Sequence, residues 1–290
     1  MLLAVPNVSE GRDESKVERL AEAFSSSARL LAAHSDPDHH RSVFVLAGEA
    51  DALAASLVAG VARARELIDL RLQDGVHPRV GATDVVPVVP VEADGMETAK
   101  ETALEVAETI GRELGLPVFL YGGAGAGRRP VFFRRGGLDE LRRRVDAREL
   151  VPDFGPLAVD ARSGAVLVGA RKPLVAYNVE LATADVAVAR RIAAAVRESS
   201  GGMPGVQAIG LQLPRSGRIQ VSMNVVDLDR SPLHEVVAQV REEAEREGVR
   251  VFGGELVGLV PEQVLDAARA AGAEVPGVDE AHVIERLLAL

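Results

Sequence analysis

The sequence predicts an α+β protein made of two similar sandwiches, each with helices packed on one face of a mostly antiparallel sheet. Three observations carry that prediction. The chain has 290 residues, more than a single hydrophobic core usually serves, so two domains are expected. Apolar residues alternate between strand-like runs and runs at helical spacing in the order β-α-β-β-α-β. That order occurs once in each half, which makes each half a ferredoxin-like (split β-α-β) subdomain, with residues 1–172 forming the first and 173–290 the second.

In the first half, residues 2–8 form a short apolar strand, and residues 13–24 place Val17, Leu20, Ala21 and Phe24 on one helical face. Two β-like runs follow at 30–33 and 42–46, joined by the loop His34-Ser-Asp-Pro-Asp-His-His40, whose polarity assigns it to the surface. Residues 50–70 put Leu53, Leu57, Val61 and Ile68 along a long helix, a Gly/Pro-rich stretch leads into a strand at 84–91, and a helix at 97–114 precedes a strand at 117–121. In the second half, a strand at 174–181 is followed by a helix that Thr183 is placed to cap and that carries Val188, Ile192 and Val196. Strands at 206–213 and 219–226 flank the turn Pro214-Arg-Ser-Gly217 as a hairpin. Ser231-Pro232 supplies the cap and first residue of a helix presenting Leu233, Val236, Val237 and Val240, Gly248 stops it, and a strand at about 249–256 completes the set. The boundary between the halves falls within 150–173.

Composition removes several kinds of chemistry. With no cysteine, disulfides, thiol nucleophiles, Cys-based zinc sites and iron–sulfur clusters are excluded. A formal charge of -10, two Tyr and no Trp oppose nucleic-acid binding. No stretch approaches the ~20 apolar residues of a spanning helix, so no membrane partner is expected and the cytoplasm is the expected location.

The densest chemical candidate is Asp74-Gly-Val-His77-Pro-Arg79-Val-Gly81-Ala-Thr-Asp84. Pro78 keeps His77 out of helical geometry and the flanking glycines allow sharp turns, so an imidazole is presented on an irregular segment. Its ordinary pKa near neutrality suits both taking and returning a proton, although a lone histidine is more often structural. The group His34, Asp36, Asp38, His39 and His40 has metal-ligand types but no recognised spacing, and no metal is expected. Its carboxylates can instead grip a cation, and Arg41 an anion. The run Tyr121-Gly-Gly-Ala-Gly-Ala-Gly127 lacks the Lys-Ser/Thr ending of a phosphate loop and reads as a flexible loop, and Arg128, Arg129, Arg134 and Arg135 read by default as a solvated face, with anion attraction as the minority reading. The Gly/Pro-bounded stretch from Pro152 to Gly164, with Arg171, Lys172 and Asn178 beyond it, lies between the repeated halves, where ligand sites are favoured.

Taken in order, Val5-Pro-Asn-Val-Ser-Glu-Gly11, Asp36 through Arg41-Ser-Val, Gly75-Val-His77-Pro-Arg-Val-Gly-Ala-Thr-Asp84, Pro152-Asp-Phe-Gly-Pro156, Val168-Gly-Ala-Arg-Lys172, Val206-Gln-Ala-Ile-Gly210 and Glu255-Leu-Val-Gly-Leu-Val-Pro261 resemble the formiminotransferase family over nearly the whole chain. The resemblance implies two ferredoxin-like subdomains that hold tetrahydrofolate and N-formimidoyl-glutamate between them, without the cyclodeaminase domain of bifunctional members. It implies that His77 is the catalytic histidine. It also implies that Gly155, Pro156, Leu157, Ala158, Val159, Asp160, Ala161, Arg162, Ser163 and Gly164 correspond to the folate-binding segment, of which only the flanking glycines and Pro156 align well.

The expected reaction is attack of N5 of tetrahydrofolate on the formimidoyl carbon, with His77 moving the protons and glutamate departing. Asp36 and Asp84 are candidates to meet the cationic amidine; Arg41, Arg79 and Arg171 to hold carboxylates; and Asn178 to complete the substrate site. Alternatives are a formyl-transferring folate enzyme, a non-catalytic folate-binding module, and a metal-dependent hydrolase built on residues 34–40. A homodimer is expected, since sandwich edges favour pairing.

Overall fold

A computed structural model describes residues 1–92 and 94–289. Contacts divide the chain into two compact units, Met1–Lys172 and Pro173–Leu290. Both are mixed α/β with largely antiparallel sheets. No helix among the described residues is long and apolar enough to cross a membrane.

The first unit runs β1 (Leu2–Ala4), β2 (Asn7–Val8), α1 (Glu14–Phe24), β3 (Arg29–Asp36), β4 (Arg41–Gly48), α2 (Ala50–Leu67), β5 (Thr83–Pro90), α3 (Met96–Glu113), β6 (Val118–Gly122), α4 (Pro130–Arg134), α5 (Gly137–Asp146) and β7 (Val166–Ala170). Its described residues form a seven-stranded sheet in which β3 pairs with β4, β1 and β2 both lie between β4 and β5, and β7 follows β5 and carries β6 on its far side. The strand expected at 2–8 is therefore interrupted. Pro6 has no N–H to give a ladder, and the chain resumes as Asn7–Val8 with a shifted register against β5. The two edge pairings, β5–β7 and β6–β7, are parallel.

Strand β7 lies inside the 150–173 stretch that the sequence reads as the domain boundary. It is buried on both faces, which is why it reads as an unbroken apolar run rather than an alternation. On one face, α1, α2 and α3 cover Val8, Phe44, Val86, Val88 and Val168. Helix α1 approaches α2 so closely at Gly60 that a Cβ there would lie 2.0 Å from the Phe24 ring. On the opposite face, α4 and α5 cover only the parallel end of the sheet through Phe133, Leu141 and Val145, packed on Val85, Phe119 and Leu167.

The second unit comprises β8 (Val175–Leu181), α6 (Val186–Val196), β9 (Val206–Gln212), β10 (Ile219–Val225), α7 (Leu233–Arg246), β11 (Val251–Val257), α8 (Glu262–Ala270) and α9 (Ile284–Ala289). Its described residues form a four-stranded sheet in the order β11-β8-β10-β9, antiparallel throughout, with α6 and α7 packed on Val175, Tyr177, Val179 and Leu181. The hairpin of β9 and β10 is as expected, and so is Gly248, whose φ of +71° gives α7 its left-handed stop.

Two caps differ from expectation. Asp185, not Thr183, caps α6 by accepting from Ala187 N, since its shorter reach to the first turn places a carboxylate where Thr183 is two residues early. Pro232 rather than Ser231 occupies the cap of α7, and the Ser231 hydroxyl donates instead to the Pro204 carbonyl. The polar loop at 34–40 also differs. Strand β3 extends through Asp36, and Asp38, His39 and His40 are buried. Their polarity does not force them to the surface because neighbouring groups satisfy it.

Candidate active site

The sheet face that α4 and α5 leave uncovered receives the polar ends of three strands. Arg41 opens β4, Asn7 lies in β2 opposite Val43 and Val85, and Asp84 is the second residue of β5. Strand pleating sends Val8, Phe44 and Val86 toward the helices, so Asn7 and Arg41 point the other way. There Arg41 Nε donates to Asn7 Oδ1 at 2.9 Å and Arg41 Nη1 donates to Asp84 Oδ2 at 2.9 Å. Arg134, delivered from α4, donates through Nη2 to the same carboxylate oxygen at 2.5 Å, while Val80 N donates to Oδ1 at 2.8 Å. Asp84 is fully enclosed, at 0% exposure. Burial alone would raise its pKa, yet Arg134, Arg41 and the Val80 N–H outweigh that and hold it below the ordinary 3.8.

His77 stands beside this clamp. Its Nδ1 lies 2.9 Å from Arg41 Nη1 and 2.8 Å from the Pro78 carbonyl oxygen. Burial, followed by the positive charges of Arg41 and Arg134, pushes its pKa well below the ordinary 6.5. The imidazole is therefore neutral near pH 7, with a lone pair for a proton. The His39 ring meets it edge-on at 6.1 Å, and Asp36 holds His39 through a 2.7 Å contact from Oδ2 to Nδ1. Asp36 Oδ1 in turn accepts from the backbone of Asp38 and His39.

A second network ties the surrounding loops together. Glu10 Oε1 accepts from the N–H groups of Gly11, Arg12 and Asp13 and lies 3.1 Å from His40 Nε2. Burial would raise the Glu10 pKa, but the Arg12 and Asp13 N–H groups and His40 keep it below the ordinary 4.5. Arg12 reaches Asp74 and the Pro37 carbonyl, and Arg79 donates to the carbonyls of His39 and His40 and to Gln73. Replacing Glu10 with alanine would strip the shared acceptor from several inward-facing donors. Urea denaturation of that variant is expected to show a loss of about 1–3 kcal/mol.

The sequence-expected residues are thus unequally placed. His77, Asp36, Arg41, Arg79 and Asp84 come together, although the Arg79 guanidinium is occupied by loop carbonyls and Asp84 by two guanidiniums. Arg171 follows β7, where it donates to the Lys172 carbonyl at 3.0 Å. Asn178 belongs to the second unit and donates to Glu255 Oε2 at 3.1 Å across β8 and β11.

In the 155–164 segment, Gly155 to Ala158 are exposed, whereas Asp160 to Gly164 form a turn closed by Asp160 Oδ1 on the Arg162 and Ser163 N–H groups. Ser163 O accepts from Ala82 N, and the φ of +69° at Gly164 lets its backbone pass where a Cβ would lie 2.0 Å from Val80 O. One end of the segment is therefore fastened directly to the 77–84 loop. Among the described residues, no group of three or more His, Asp or Glu side chains is arranged to hold a metal ion. Local sequence does not mark Asn7 or Glu10 as site residues, and it reads Arg134 as part of a solvated face. Arg134 in particular is not part of a solvated face, its side chain being only 15% exposed.

The formiminotransferase domain, N-terminal subdomain, matches residues 1–171, and the formiminotransferase domain matches residues 176–274. Matches of this extent place the protein among the group-transferring enzymes. Glutamate formimidoyltransferase of Thermoplasma acidophilum is 36% identical over 291 residues, covering 97% of this chain and 95% of that protein. The enzyme of the same name from Streptococcus pyogenes serotype M1 is 37% identical, covering 90% of this chain and 89% of its own. Formimidoyltransferase-cyclodeaminase of Gallus gallus is 38% identical over 91% of this chain, which spans 51% of that longer protein. The chain belongs to the formiminotransferase family.

Proposed function

We propose that the protein transfers the formimidoyl group of N-formimidoyl-L-glutamate to N5 of tetrahydrofolate and releases glutamate, with His77 as the general acid–base residue. The observation that carries this is a histidine kept neutral by burial and by the guanidiniums of Arg41 and Arg134, in a family whose named members perform this transfer. His77 takes the N5 proton as that nitrogen bonds to the formimidoyl carbon, then delivers a proton to the glutamate nitrogen as the C–N bond breaks. One base serves both steps because each regenerates the form the other needs. The excess of guanidinium over carboxylate around Asp84 suits a dianionic amino-acid donor, with Arg41 as the principal carboxylate contact and Arg171 as an outlying one. Asp84 itself is assigned to holding Arg41 and Arg134, and Asp36 to orienting His39 beside the amidine. The exposed Gly155–Ala158 stretch, with Leu157 outward, is assigned to the folate side.

The same reading takes both units as ferredoxin-like. Order β11-β8-β10-β9 supports this for 173–290, and in 1–172 the interrupted strand β1/β2 between β4 and β5 gives the equivalent order, extended by β7 and β6. A cytoplasmic setting and a homodimer go with it. Mixing the purified protein with N-formimidoyl-L-glutamate is expected to release glutamate only when tetrahydrofolate is present. Release without tetrahydrofolate, or none with it, overturns the proposal, and turnover with N-formyl-L-glutamate in place of the formimidoyl donor would reassign the one-carbon group.

A further inference from the structure

Two groups compete for one nitrogen of His77. Arg41 Nη1 is 2.9 Å from Nδ1, and the Pro78 carbonyl oxygen is 2.8 Å from the same atom. In a neutral ring these contacts exclude each other. A guanidinium can only donate, so the Arg41 contact requires a bare Nδ1 and puts the proton on Nε2. A carbonyl can only accept, so the Pro78 contact requires Nδ1–H and leaves Nε2 bare. No described residue bonds Nε2, which makes it the nitrogen that meets a substrate. Only the tautomer bonded to Pro78 can accept a proton there, so whenever Arg41 takes Nδ1 the base is in its inactive form.

The means of moving Arg41 is also in place. Its Nη1 is shared between His77 and Asp84, its Nε is fixed on Asn7, and no described residue accepts from its Nη2. Asp84 is already supplied by Arg134 through the same oxygen and by Val80 N, so it stays compensated if Arg41 turns. The charged and titratable groups beside the His77 ring are Arg41, Arg134 and His39, Arg79 reaches the His77 carbonyl, and Asp84 is the carboxylate that the Arg41 and Arg134 guanidiniums share. A ligand carboxylate is the missing partner.

We propose that Arg41 is a positioning residue that gates the base: a substrate carboxylate draws its guanidinium off Nδ1, Nδ1–H then turns to the Pro78 carbonyl, and Nε2 is bared. The proton count of the imidazole does not change, since Nε2 loses a proton to solvent as Nδ1 gains one. The proposal rests on His77 being the base, and it makes that base available only once the anionic donor has bound.

Nitrogen-15 NMR of the full-length protein carrying ring-labelled histidine reads the tautomer directly, without turnover. In the free protein His77 is expected to be protonated on Nε2. Saturating L-glutamate, the carboxylate probe, is expected to exchange the chemical shifts of the two ring nitrogens, leaving the proton on Nδ1. Arg41→Gln is expected to give the Nδ1–H form with or without glutamate, and Arg41→Lys, which keeps the charge, to retain at least part of the glutamate response. The same tautomer in free and glutamate-saturated protein, or an Nε2–H form persisting in Arg41→Gln, overturns the gate. Failure of the functional assignment would appear separately, as absent tetrahydrofolate-dependent glutamate release.

Discussion

Replacing His77 with alanine is expected to lower kcat by roughly 10²–10⁴-fold, the range that one positioned acid–base group supplies, with little change in the urea midpoint. The side chain is half-buried on an irregular segment and its hydrogen bonds are confined to Arg41 and Pro78, so no core packing is lost with it. The pH dependence follows from the same surroundings. Burial and the two guanidiniums keep the His77 pKa well below 6.5, so the acid limb of kcat/KM should fall below that pH. In the alanine variant, residual activity should lose that limb. Stability carries the same sign. A histidine whose pKa is depressed by folding costs the folded state nothing above 6.5, and the protein weakens as pH falls below 6.5 because the unfolded chain takes up the proton first. Steady-state kinetics and urea titrations of both proteins across this range check the two statements together.

The second large effect concerns Asp84. Asp84→Asn removes the carboxylate that Arg41 and Arg134 share and leaves two guanidiniums facing each other at a fully buried position. Breaking a buried, hydrogen-bonded pair by removing one partner costs about 3–5 kcal/mol, and urea denaturation near pH 7 should show a loss of that order. The Asp84 pKa lies below 3.8 in the fold, so its contribution is present above 3.8 and is lost as pH falls through the lowered value. The difference between wild type and variant should accordingly shrink in acid. Asp84→Glu, which keeps the charge but lengthens the arm, should recover part of the stability while still disturbing Arg41.

Local chemistry made some of this legible. The hairpin at 206–225, the helix faces of α2 and α7, and the irregular His77 loop follow from alternation, helical spacing, glycine and proline, all of which act over a few residues. What escaped depends on partners distant in sequence. Arg134 finds Asp84 fifty positions away, and Glu10 finds His40 thirty away. Nothing near either residue distinguishes it from a solvated charge. The polarity of the 34–40 loop predicts the surface because burying polar groups is costly, but Glu10, Asp36 and Arg79 provide hydrogen bonds that remove the cost. Strand β7 escaped for a related reason. A short apolar run that follows a glycine-closed turn becomes a strand only because it pairs with β5 on one side and β6 on the other.

The most direct test of the account is a crystal structure of the protein with tetrahydrofolate and L-glutamate bound. The His77 Nε2 is expected roughly 2.6–3.2 Å from N5 of the pterin, or one water away, with a glutamate carboxylate on Arg41. A His77 ring turned from the pterin, with a different side chain within reach of N5, would contradict it.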